Sequence, residues 1–373
     1  MKSRIAVVFG GRSGEHDVSI RSAKAVIENI DRSKYSVIPI AIDRAGHWLD
    51  PRVSAGLLPS ETSQLVASDV AEMSEDAIAL IGDPKYHGMV ELKDHSPLGI
   101  DVVFPVLHGT YGEDGTLQGL FEMADVPYIG CGVLASSCGM DKVVMKSLFK
   151  EAGLPICRYD WFLRRQWESD EDAILDRIEK SVGFPCFVKP ANLGSSVGIS
   201  RAETRQELRQ GIAVAAEYDR RIIVEEGLKM REIECAILGN DEPIASQPGE
   251  YLIRDNNKAF LDYTEKYSGT GNNEFVVPAP VSAELAAKIQ DLAIRAFKSI
   301  DGAGLARVDF FLRTDNGALL VNEINTLPGL TDASGYPKMW AGSGKPFVDV
   351  IDELIALAWE RHADRKFNKT SMV

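Results

Sequence analysis

The chain has 373 residues, too many for one compact core, so two or three domains are expected. Its formal charge of −14 excludes nucleic acid and anionic membrane as natural partners. Any phosphate site must therefore be built locally, from a few lysines and backbone N–H groups. The opening, MKSRIAVVFGG, has too short an apolar run for a signal peptide, and no stretch is long enough to span a bilayer. Five scattered cysteines (Cys131, Cys138, Cys157, Cys186 and Cys235) lack CxxC spacing and read as reduced packing residues of a cytosolic protein.

Ile5 to Phe9 reads as a strand entering Gly10-Gly11-Arg12-Ser13-Gly14-Glu15-His16, followed by a helix from about Val18 to Ile30. Strand, glycine loop and helix open an α/β sheet, whose ligands gather beyond the carboxyl ends of its strands. The glycines fall short of a G-x-G-x-x-G fingerprint. Glu15 is an acid where a phosphate binder would want none; it suits a ligand ammonium or, equally, caps the first helical turn. Tyr35 to Ile42 is a second strand. Ile100 to Leu107 is another, ending in a loop from His108 to Thr116 and a helix from Leu117 to Ala124. His108 is a candidate acid–base group, against the commoner role of orienting its loop.

Val133 to Ala152 is largely helical and carries Asp141-Lys142. The strand Cys186 to Val188 ends at Lys189-Pro190, before a loop with Gly194, Ser195, Ser196 and Gly198. Successive N–H groups there can nest an anion, with Lys189 as a point charge, although a plain hairpin loop competes. Thr204 to Glu207 fits a capping box, opening a helix to about Glu217. Arg221 to Glu226 is a strand ending in two acids. These either face solvent or accept from an adenine amino group and ribose hydroxyls. Leu252 to Val276 has little regular pattern and reads as a lid, with Tyr263 and Tyr267 arguing against plain disorder.

A helix from Ser282 to Ile300 leads to two apolar runs around Asp315-Asn316-Gly317, the signature of a β-hairpin. With those three residues as the loop and Gly317 left-handed, Thr314 pairs with Ala318. Asp309 then lies opposite Glu323, and Arg307 opposite Asn325, all on one face. Two carboxylates and an amide directed at one point, with no basic residue between them, repel unless a cation sits there. Oxygen ligands suit a hard divalent ion, and two carboxylates with substrate phosphates are how Mg²⁺ is usually held. A turn-rich loop and an amphipathic helix from Phe347 to His362 close the chain.

The blocks GGRSGEHDVS, HGTYGEDGTLQG, MDK, FVKPANLGSSVGIS, VEEGLKMREIE, DYTEKY, ARVDFF and VNEINTLPGLT, in this order, carry a resemblance. The chain resembles the D-alanine–D-alanine ligases of the ATP-grasp superfamily from end to end. That resemblance implies an α/β and α+β architecture: an N-terminal open parallel α/β sheet domain (1–130), then a two-part ATP-grasp fold (131–226 and 227–373). It implies ATP-dependent joining of two D-alanines through a D-alanyl phosphate, for peptidoglycan precursors, in a cytoplasmic homodimer. Two Mg²⁺ ions are implied, with Mn²⁺ as a substitute, on Asp309, Glu323 and Asn325.

By the same resemblance Lys142, Lys189, Ser196 and Asn322 meet the nucleotide, and Lys266 reaches its terminal phosphate. Glu225, Glu226, the backbone near Leu228, and Glu232 hold adenine and ribose. Glu15 takes the first D-alanine's ammonium, with Ser195 and Tyr267 bonded to it and His108 beside the substrate. Arg307 and the N–H of Gly329 form an oxyanion hole, and Ser334, next to Gly335, receives the second carboxylate. Tyr267 favours an amine as second substrate. Ala333 and Gly335 are smaller than the residues common in relatives, and Leu193 stands where some relatives have Glu.

Overall fold

The computed structural model describes residues 2–73, 75–194, 197–253 and 273–369. The first third runs β1 (Ser3–Gly10), α1 (His16–Asn29), β2 (Tyr35–Ile42), α2 (Pro51–Gly56), α3 (Ser60–Val70), β3 (Ile78–Leu80), β4 (Met89–Glu91), β5 (Val102–Pro105) and α4 (Thr116–Met123). Three of its strands form a parallel sheet in the order β2-β1-β5. β1 lies at its centre, and Ile5 to Phe9 are fully buried, as expected of a strand covered on both faces. Because β1 and β5 are neighbours, the loops at their carboxyl ends, around Glu15 and His108, emerge side by side.

The middle third holds α5 (Val133–Met140), α6 (Lys142–Glu151), β6 (Tyr159–Leu163), α7 (Arg164–Ser169), α8 (Glu171–Ser181), β7 (Cys186–Pro190), β8 (Ser200–Ala202), α9 (Arg205–Tyr218) and β9 (Arg221–Glu226). The helical stretch expected from Val133 to Ala152 is two helices. Asp141 breaks it by capping α6, accepting from the N–H groups of Val143 and Val144 at 3.0 Å each. The strands form an antiparallel sheet in the order β6-β9-β7-β8. Its own small core contains Phe162, Val188, Leu208 and Val224.

The last third holds β10 (Met230–Gly239), β11 (Ile244–Ala245), β12 (Gly249–Ile253), β13 (Asn273–Val276), α10 (Ala283–Ser299), β14 (Gly304–Arg313), β15 (Leu319–Asn325), α11 (Gly335–Gly342) and α12 (Phe347–Arg365). Its sheet runs β13-β12-β10-β14-β15, with β11 beside β10. Met145 and Phe149 of α6 share a core with Cys235, Phe310 and Ile324, so α6 rides on this sheet. Tyr336 and Leu354 share another core with Ile5 and Val7 of the N-terminal sheet. Apolar patches on both faces thus fasten the large sheet to both neighbours, and a polar part of one face opens to a cleft. All five cysteines are free thiols. Among the described residues no helix is long and apolar enough to cross a membrane.

Candidate active site

The floor of the cleft is the polar face of β10, β14 and β15. Alternation along β14 buries Val308, Phe310 and Leu312 and turns Arg307, Asp309 and Phe311 toward the cleft. Asp309 lies opposite Glu323, and Arg307 opposite Asn325, as expected. The tip is nevertheless one residue longer than the sequence implies. Thr314 leaves the hairpin to donate its N–H to Lys229 O at 2.9 Å, and Arg313 faces Ala318. Gly317 takes the expected left-handed conformation, with φ of +71°. Phe310 pairs with Val321 and Asp309 with Glu323, so Asn322 is the extra residue of a β-bulge. The bulge restores the offset lost at the tip. It also lets adjacent residues, Asn322 and Glu323, both line the cleft.

A second correction concerns charge. The acids are not without a basic neighbour, because Arg307 grips Asp309 through two hydrogen bonds. Nε donates to Oδ1 at 2.7 Å and Nη2 to Oδ2 at 2.6 Å. Asn325 Nδ2 donates to Asp309 Oδ2 at 3.1 Å. Glu234 stands across the strand from Asp309, its Oε2 lying 3.4 Å from Arg307 Nε. Sequence reasoning missed Glu234. Its spacing of two from Glu232, which places both on one strand face, was the available signal. Among the described residues no three His, Cys, Asp or Glu groups cluster as a metal cage. The oxygen donors of Asp309, Glu323 and Asn325 still fit a hard divalent ion whose other positions are filled by phosphate or water, once Arg307 yields.

Two lysines form the wall facing this floor, with a third, Lys146, buried behind them. Lys142, the first residue of α6, donates from Nζ to Leu193 O at 2.7 Å and lines the cleft with Lys189. Burial, with the like charge of Lys189, lowers the pKa of Lys142 even though Glu323 acts the other way. Lys189 Nζ donates to Glu225 Oε2 at 2.6 Å, and Lys146 Nζ lies 3.0 Å from Glu225 Oε1. Burial alone would raise the Glu225 carboxyl, but Lys146 and Lys189 hold it down at about 2. The same carboxylate raises the pKa of both lysines against the effect of their burial. Lys146 was not singled out in the sequence. Its spacing of four from Lys142 on one helix was the signal that could have found it.

The adjacent acids of β9 part company. Glu225 turns inward, while Glu226 turns to Arg158, accepting from its N–H at 2.8 Å and from Nε at 2.9 Å. The side chain of Glu226 therefore does not enter the cleft, a correction to its expected nucleotide contact. Leu228 lies in the link between β9 and β10, and Glu232 lines the cleft floor.

From the N-terminal sheet, Glu15 and His108 enter the same cleft. Glu15 occupies the cap position of α1, but its side chain makes no capping hydrogen bond. Its carboxylate packs where a side chain at Gly109 would stand, so only glycine leaves room for it. His108 is buried, with Ser22 Oγ 2.9 Å from its Nε2 and Glu113 Oε1 3.4 Å from its Nδ1. Burial opposes a charge on His108. Glu113 and Glu15 outweigh it and raise the imidazole pKa.

Ser334 occupies the cap position of α11 without a side-chain capping hydrogen bond and is buried against Thr331, their hydroxyl oxygens 2.8 Å apart. Gly335 beside it is not slack: a Cβ there would strike Glu234 Oε2 and the ring of Phe275. Gly329 lines the cleft next to Leu327 and Pro328. Ser195, Ser196, Lys266 and Tyr267 lie outside the described residues.

Comparison with known proteins adds an independent finding. Residues 4–131 match the model for the D-ala D-ala ligase N-terminus, and residues 148–356 that for the D-ala D-ala ligase C-terminus. A D-alanine--D-alanine ligase of Heliobacterium modesticaldum is 46% identical over 99% of this chain and 98% of its own. Another, from Bacillus velezensis, is 46% identical over 97% of this chain and 99% of its own. Among solved structures, the D-alanine-D-alanine ligase from Coxiella burnetii superposes with a TM-score of 0.80 at 35% identity, covering 98% of each chain. The VanG D-Ala:D-Ser ligase from Enterococcus faecalis gives 0.81 at 38%, covering 96% of this chain and 100% of that one.

Proposed function

The chain belongs to the D-alanine–D-alanine ligase family, and we propose that it joins two D-alanines at the expense of ATP, supplying the dipeptide of peptidoglycan precursors. The observation that carries this reading is a floor of Asp309, Glu323 and Asn325 facing a wall of Lys142 and Lys189, in one cleft with Glu15. In a protein of net charge −14, Lys142 and Lys189 supply locally the positive charge that a polyphosphate requires.

A free carboxylate is a poor acyl donor because its leaving group would be oxide. Transfer of the terminal phosphoryl group of ATP to the first D-alanine's carboxylate gives an acyl phosphate and ADP. The amine of the second D-alanine then attacks the acyl carbon, the C–N bond forms, and inorganic phosphate leaves with the C–O electron pair. Glu15 holds the first substrate's ammonium and so fixes its carboxylate toward the lysines. Lys142 and Lys189 offset charge on the moving phosphoryl group. Asp309, Glu323 and Asn325 would hold Mg²⁺, which when bound neutralises phosphate charge and aligns the reacting oxygens. Arg307 and the Gly329 N–H stabilise the tetrahedral oxyanion, and Ser334 receives the second carboxylate. His108, its pKa raised by Glu113 and Glu15 against its burial, lies beside the first substrate. By the family resemblance Ser195, Tyr267 and Lys266 would complete the site. We assign the enzyme to the cytoplasm and to a homodimer, which light scattering tests.

The test is inorganic phosphate release with Mg-ATP across D-alanine, D-serine, D-lactate and other acceptors. Turnover that needs D-alanine at both positions is expected. A strict requirement for a different first carboxylate would overturn the reading, whereas preference for D-serine as acceptor would move only the second substrate.

A further inference from the structure

Glu225 is held by two cations that differ in what they can do. Lys189 lines the cleft, whereas Lys146 is 1% exposed and does not. Besides its ion pair with Glu225, Lys146 Nζ donates to the bulge carbonyl, Asn322 O, at 3.1 Å, and lies 3.6 Å from Cys157 Sγ. Its three contacts come from β9, β15 and the segment before β6, so its ammonium is fixed from three sides.

We propose that Lys146 is a positioning residue for the nucleotide: a permanent counter-ion of Glu225 that lets Lys189 exchange that carboxylate for phosphate. The inference rests on the nucleotide reading above. A buried carboxylate that loses its sole cation is strongly destabilised, so with Lys189 alone on Glu225 the cleft lysine would be trapped. With Lys146 on the other oxygen, Glu225 stays compensated when Lys189 turns away. Only the mobile half of the pair then faces the ligand. The hydrogen bond to Asn322 O ties the same ammonium to the β15 bulge, so the wall and floor of the cleft share one anchor.

The experiment is calorimetric titration of the full-length protein with Mg-ADP, which needs no turnover, together with KM for ATP and for D-alanine. Lys146→Met should weaken Mg-ADP and raise KM for ATP by roughly tenfold or more, while KM for D-alanine stays within about twofold. The double variant K146M/E225Q removes the trap and keeps an acceptor at position 225. It should therefore bind Mg-ADP more tightly than K146M, within about threefold of E225Q alone. It also leaves no buried carboxylate stranded if K146M folds poorly. Unchanged ADP affinity in K146M, or no recovery in the double variant, overturns the proposal. Wild-type protein that binds Mg-ADP but never turns over D-alanine overturns the ligase reading instead and leaves this one testable.

Discussion

Glu225 and Glu323 both sit near strand ends within the influence of lysines, yet they serve opposite ends. Glu225 is 2% exposed, and each oxygen meets a lysine ammonium. Glu323 is half-buried on the cleft floor, where its charge reaches Lys142 across the opening. Burial depth makes the difference. A fully buried carboxylate must keep cations permanently, whereas one at a cleft surface can exchange water and protein partners for a ligand. Asp309 stands between these cases, neutralised by Arg307 on a face that a cation can still reach.

The strongest way to break this contrast is Glu323→Ala. We expect turnover to fall at least about a hundredfold with far-UV circular dichroism unchanged, because several kcal/mol of charge stabilisation is at stake. A near-normal rate would strip Glu323 of its ligand role. Glu15→Gln sharpens the comparison at the other rim of the cleft. Losing a charged hydrogen bond to an ammonium should raise KM for the first D-alanine roughly ten- to a hundredfold. An unaltered KM would remove Glu15 from the ammonium site.

Gly335→Ala should lower stability by about 1–3 kcal/mol, since the added methyl overpacks Glu234 and Phe275. A denaturant midpoint equal to wild type would mean that Glu234 moves freely. The smallest effect concerns pH. The Glu225 carboxyl titrates at about 2 in the folded chain, against an ordinary 4.5. A lowered folded pKa means that the unfolded chain takes the proton first. The contribution of Glu225 to stability is thus whole above pH 4.5 and is lost as the pH falls toward 2. Denaturant midpoints followed downward from pH 4.5 should decline more steeply in wild type than in Glu225→Gln, and parallel curves would count against the buried pairing.

Much of this molecule was legible in its letters. Two apolar runs around a glycine-ended turn marked β14 and β15, the glycine loops after β1 and β5 marked the rim, and ordered motif blocks identified the family. The facing of Asp309 and Glu323 was legible as well, although by two offsets that cancel. The count assumed a three-residue tip and an unbroken ladder. The chain instead forms a four-residue tip, because Thr314 bonds to Lys229, and inserts Asn322 as a bulge.

Sequence by itself determined the elements, the cleft they surround and the residue types in it, because periodicity and turn chemistry are local properties. Tertiary structure alone decided which charges meet. Lys146 looks like any helical lysine until α6 packs against β15 and brings it to Glu225, 79 positions later in a chain whose numbering says nothing of that approach. Glu226 looks equivalent to Glu225 until the strand's alternation is set against a particular neighbour, Arg158. Ion pairing depends on distance and burial, and both come into being only when separate elements pack.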